Sequence, residues 1–119
     1  MSRRLVAGAA LLLLVRAGTA GAHAFLDHAE PRVGATVTTP PVAVTLVFTE
    51  AVEPAFSRVE LTDDQGGAVS AKPLEHPKDD TIVVPVPALA PGSYTVHWTV
   101  VSVDTHATEG RFQFVVKAP

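Results

Sequence analysis

Cysteine is absent from the 119 residues, and methionine occurs only at position 1. The first absence excludes disulfides, thiolate metal centres and cysteine nucleophiles. Charge is sparse, 18% against 47% hydrophobic residues, which suits a packed globule rather than a disordered chain. Basic residues are the scarcer sign, nine Lys and Arg against 12 Asp and Glu. Three of the nine, Arg3, Arg4 and Arg16, sit in the first 22 residues, where there is no acid, so removing that segment takes the net charge from −3 to −6. A surface of this sign is poorly suited to nucleic acid or anionic membranes. Beyond the N-terminal segment no apolar run is long enough to span a bilayer. No Ser–His–acid arrangement and no phosphate-cradling glycine loop appears, which leaves hydrolase and nucleotide-binding readings without support. The length is enough for one domain, and such a domain can fold without disulfide staples.

What is present begins with an address. Arg3 and Arg4 precede an apolar core over residues 5–15, shorter than a membrane span, and Ala20-Gly21-Ala22 is a small-residue cleavage site. The pattern predicts a signal peptide over 1–22, removed to leave a domain over 23–119 in the periplasm or another extracytoplasmic compartment. Ser2-Arg3-Arg4 is a partial match to a twin-arginine signal, and general secretion is the fuller match. Cleavage after Ala22 would make His23 the first residue. Its nitrogen would change from an amide to a free amine with a pKa of about 7.7–8.0, able to close a chelate ring with Nδ1 of the same side chain.

The remaining chain alternates apolar and polar residues at the period of a strand. Ala24 to His28 reads as a short first strand. Val42, Val44, Leu46 and Phe48 fall on one face of a second, and residues 58–62 alternate as a half-buried third. Asp63-Asp64-Gln65-Gly66-Gly67 is a hairpin signal, with residues 68–71 as a short return strand. Residues 72–80 read as a charged loop. Residues 81–87 read as an edge strand because Pro85 and Pro87 cannot donate to a ladder. Residues 93–103 form the longest strand, with Tyr94, Val96, Trp98 and Val100 on its core face, and residues 111–116 close the domain. About seven short strands and frequent turns predict an all-β, Greek-key sandwich.

At the end of the longest strand stands Asp104-Thr105-His106. In an extended backbone, side chains at i and i+2 leave the same face, about 6.5 Å apart at Cα, so a carboxylate oxygen and an imidazole nitrogen could reach one ion. Two ligands hold a metal weakly, and an isolated D-x-H also reads as a polar turn after a core strand. The candidate for the missing donors is His23. Of the other histidines, His28 is a candidate auxiliary ligand, His97 faces away from Trp98 toward solvent, and His76 lies in the charged loop.

Several features coincide: His23-Ala24-Phe25-Leu26 after the cleavage site, Glu30-Pro31 and Gly34, a strand ending Phe48-Thr49-Glu50, then Gly92-Ser93-Tyr94 through Trp98 to Val101-Ser102-Val103-Asp104-Thr105-His106, and Phe112-Gln113-Phe114. In these the chain resembles, over residues 23–119, the CopC family of bacterial copper-resistance and copper-transport proteins. The resemblance implies an Ig-like or cupredoxin-like β-barrel. It also implies copper(II) held by the amine and ring of His23, by Asp104 and by His106, with Glu50 as an outer or supporting acid. A CopD-like inner-membrane transporter is the partner it implies, and the protein is expected to be a monomer. Many relatives carry a methionine-rich copper(I) loop. Here the corresponding residues, 63–78, hold acids, prolines and glycines, so a thioether site is absent.

Chemistry agrees with that donor set. An amine, two imidazoles and a carboxylate suit tetragonal copper(II), which also tops the divalent affinity order; nickel(II) comes next by geometry, and zinc(II) would need a tetrahedral arrangement. The leading expectation is therefore a non-enzymatic copper(II) carrier. One alternative is a small histidine-brace copper oxygenase, against which Asp104 would fill a position that oxygen needs. The other is an adhesion or structural β-sandwich with no metal, in which His23 and His106 could be replaced without effect on copper affinity.

Overall fold

The computed structural model describes residues 23–119. The predicted signal segment, residues 1–22, lies outside the described residues. Eight strands are present among them: β1 (Leu26–Glu30), β2 (Thr36–Val37), β3 (Ala43–Phe48), β4 (Arg58–Thr62), β5 (Glu75–Lys78), β6 (Thr81–Pro85), β7 (Gly92–Val101) and β8 (Ala107–Val116). They form two four-stranded sheets, ordered β1-β3-β6-β5 and β2-β8-β7-β4. All pairings are antiparallel except the two-residue β2, which runs parallel to β8. This is the all-β sandwich that the alternating pattern predicts.

The core lies between the sheets because each inner strand sends every second side chain inward. Val44, Leu46 and Phe48 of β3 and Ile82 and Val84 of β6 meet Val96, Trp98 and Val100 of β7 and Phe112, Phe114 and Val116 of β8, all buried. Each such side chain contributes roughly 1.5–3 kcal/mol on burial. The Trp98 ring meets Phe48 edge-on at 5.2 Å. It also lies over Gly110, its partner across the β7–β8 ladder, where a Cβ would come within 2.6 Å of the indole. Tyr94 stacks on Phe114, and its hydroxyl donates to the Ala90 carbonyl at 2.6 Å, pinning the turn that enters β7 as tyrosines do at Greek-key corners.

Several local expectations change. The longest strand ends at Val101 rather than at 103, and the last begins at Ala107, four residues before the predicted start. The first strand begins two residues later than predicted and extends to Glu30. A bulge between Leu26 and His28 leaves both Asp27 and His28 exposed, as an extra residue in one strand does. Val42 is 83% exposed rather than on the core face, because the strand starts at Ala43. Residues 68–71 form only a bridge, Thr62 to Ala68, rather than a return strand. The predicted edge strand β6 is interior, and the edge is β5, inside the predicted charged loop. Pro85 and Pro87 therefore do not mark an edge. Pro85 terminates β6, where no donor is required, and Pro77 falls in the register irregularity of β5, the edge position a proline tolerates.

Candidate metal centre

The β7–β8 hairpin presents Asp104 and His106 on a loop of five residues, 102–106, after the last pair, Val101 with Ala107. Ser102 closes it. Its N–H donates to the His106 carbonyl at 2.9 Å, and its carbonyl accepts from Thr105 N–H at 2.8 Å. Thr105 has φ of +73°. The approach of Asp104 to His106 is therefore not the alternation of an extended strand predicted above. It is a turn folded back on itself, with His106 Nδ1 3.3 Å from Asp104 Oδ1. The second neighbour of that carboxylate is the Ser102 hydroxyl, which donates to Oδ1 from a residue only 1% exposed. This hydrogen bond is the main reason the Asp104 carboxyl lies below its usual value of 3.8; desolvation opposes it, and the His106 hydrogen bond and charge reinforce it.

A strap over residues 49–53 joins this loop to the start of β1. Val52 bridges to Ser102, Val103 N–H donates to the Ala51 carbonyl at 3.1 Å, and Glu53 N–H donates to the Val101 carbonyl at 2.8 Å. At its other end Thr49 exchanges two bonds with Phe25: its hydroxyl accepts from Phe25 N–H at 3.0 Å, and its N–H donates to the Phe25 carbonyl at 2.8 Å. Ala24 is fully buried, and its carbonyl accepts from the Thr108 hydroxyl. His23 thus stands one residue beyond two anchors. Its ring lies beside that of His106, with centroids 4.7 Å apart and planes inclined at 56°. The chain's two distant candidates meet at one end of the sandwich.

The arrangement is pairwise: His23 with His106, and His106 with Asp104. Among the described residues no three His, Asp or Glu side chains already converge as a metal cluster. The spacings nevertheless suit donors on one ion. Donors about 2.0–2.1 Å from a metal stand roughly 3 Å apart when adjacent, near the 3.3 Å between Asp104 and His106. Imidazoles bound at that distance have ring centres roughly 4.5 Å apart when adjacent, close to the observed 4.7 Å. Asp104 and His106 are about half exposed, so an ion can enter and leave without opening the core.

The remaining candidates fall elsewhere. Glu50 is exposed on the strap between Thr49 and Ala51, and among the described residues no hydrogen bond ties it to His23, Asp104 or His106. His28 pairs with Asp27 at 2.7 Å. His97 pairs with Glu109 at 2.9 Å on the outer sheet face, and His76 meets the Asp79 carbonyl at 3.1 Å. Sequence reasoning missed three hydroxyls, those of Ser102, Thr108 and Thr49. Only Ser102 carried a local signal, a serine two residues before an aspartate where a strand ends, which is a pattern of side-chain-capped turns.

The CopC domain model matches residues 26–117. Protein YobA of Escherichia coli strain K12 is 42% identical over 99 residues, covering 81% of this chain and 80% of that protein. Copper resistance protein C of Xanthomonas campestris pv. juglandis is 36% identical over 121 residues, covering 92% and 94%. Among solved structures, CopC from Methylosinus trichosporium OB3b superposes with a TM-score of 0.74 at 37% identity, over 81% of this chain and 95% of that one. PcoC, a methionine-rich copper resistance protein from Escherichia coli, gives 0.75 at 30% identity, over 81% and 100%. With its fold and nearly all of the described residues matched, this chain belongs to the CopC domain family.

Proposed function

We propose that this protein is an extracytoplasmic copper(II)-binding protein of copper resistance or homeostasis, holding one ion between His23, Asp104 and His106 and passing it to a membrane transporter of the CopD-like kind. The observation that carries the reading is the meeting of the His23 and His106 rings at 4.7 Å. They come from different sheets' ends, and nothing in core packing requires two exposed imidazoles to lie together. Removal of residues 1–22 supplies the fourth donor, the His23 amine. A relative named for copper resistance matches 92% of the chain. No methionine occurs in 23–119, so a thioether site of the kind a methionine-rich relative could offer has no counterpart here, and an all-nitrogen-and-oxygen donor set favours copper(II).

The test is a copper(II) spin-resonance spectrum of protein whose first residue has been verified as His23. Three nitrogens and one oxygen in the equatorial plane are expected. His23→Ala and His106→Ala should each remove nitrogen couplings and weaken binding by at least tenfold. Unchanged spectra in both variants would sink the reading, as would a mature terminus at another residue.

A further inference from the structure

Ser102 is one of two buried polar residues in the molecule's described part, and its hydroxyl is placed among the groups of the site. The hydroxyl donates to Asp104 Oδ1, lies 3.2 Å from the His106 carbonyl and accepts from His106 N–H at 3.3 Å. A hydroxyl has one proton to give. The carboxylate takes it, because a charged acceptor makes the stronger bond. The lone pairs on the same oxygen remain for His106 N–H. One buried atom therefore holds the side chain of one candidate ligand and the backbone of the other.

Without that atom the Asp104 side chain would keep its 3.3 Å contact with His106 and a bond to its own backbone N–H, with nothing buried to hold it. An aspartate half exposed at the tip of a loop then samples several rotamers, and fixing it costs entropy each time an ion binds. Ser102 removes that freedom beforehand. It is itself immobilised by the bridge to Val52 and by the backbone bonds to Thr105 and His106.

We infer that Ser102 is a positioning residue of the metal site, acting through Asp104 by holding its carboxylate toward His106 before an ion arrives. This rests on the copper(II) reading above. Groups that orient metal ligands typically change affinity 10- to 100-fold when removed.

The experiment is a double-mutant cycle on protein beginning at His23, read by copper(II) affinity and by the spin-resonance spectrum. Ser102→Ala should weaken binding about 10-fold or more and alter the oxygen contribution to the spectrum while nitrogen couplings persist. In an Asp104→Ala background the same change should have little further effect. Ser102→Thr keeps the hydroxyl and adds a methyl, and Ser102→Val is nearly the same shape with a methyl in place of the hydroxyl, so of these two, compared as folded proteins, Thr should keep the wild-type spectrum and Val should not. Wild-type affinity in folded Ser102→Ala would overturn the proposal, and so would full additivity with Asp104→Ala or identical behaviour of the Thr and Val variants. Failure of the unmutated protein to bind copper(II) would overturn the functional reading itself and this role with it.

Discussion

Thr105 holds a left-handed backbone at φ +73°, a conformation that costs an L-residue roughly 1–2 kcal/mol and suits a β-branched one least. The strain is confined to the link between Asp104 and His106. Asparagine tolerates this region, so Thr105→Asn should raise the unfolding free energy by up to about 1 kcal/mol, measured by denaturant unfolding, with the loop shape retained. At the neighbouring position the carboxylate titrates low because Ser102 donates to it. Its folded pKa lies below the unfolded value, so the stabilisation it gives the loop is fully present above the ordinary carboxylate range and is lost as pH falls through the lowered value. Carbon-detected NMR titration should find the Asp104 carboxyl below 3.8 in the wild type and closer to it in Ser102→Ala. Residues of this kind were only half legible. Asp104 and His106 stand out by chemical type, but the reason they meet is a backbone angle that threonine does not advertise.

At the scale of elements, the β7–β8 hairpin does most of the positioning, and across its ladder the Trp98 ring lies against Gly110 with no room for a side chain. Gly110→Ala would press a methyl into the indole, and overpacking of this sort costs typically 1–3 kcal/mol. A lowered midpoint in denaturant with unchanged slope is the expected result. Thr108 ties β8 to the segment before β1 through the Ala24 carbonyl. Thr108→Val should speed amide exchange near residues 24–26 and weaken copper(II) binding, while leaving exchange in the β7 core unchanged. The long strand β7 was readable because alternation over ten residues is hard to mistake for anything else, whereas β8 was read only from Arg111 onward, its first four residues, Ala107 to Gly110, being small or polar. The two-residue β2 and the Pro-containing β5 were not, since each is defined by its neighbour's unpaired edge rather than by its own pattern. Pro85 misled because a proline marks either an edge or an end, and only the pairing decides which.

For the whole molecule, the sandwich and the family were legible from the spacing of apolar residues and the motifs near residues 92–106. The encounter of His23 with His106 was an expectation only the three-dimensional path of the chain could test, because it depends on how the 49–53 strap and Thr108 steer the first residues. A ligand that binds the folded state alone raises its stability by mass action, about 2.7 kcal/mol at a hundredfold excess over Kd. Calorimetric melts should therefore move upward with copper(II) in protein that starts at His23. The shift should shrink in protein carrying extra residues ahead of it, where the chelating amine is an amide.

The two rings belong to opposite layers, since His23 leads into the β1 sheet and His106 lies in the hairpin of the other. An ion seated between them would act as a rivet through the open rim of the sandwich. Prying the layers apart from that rim would then require breaking coordination bonds first. Loaded protein should accordingly unfold more slowly under pulling force or protease than its equilibrium gain alone suggests.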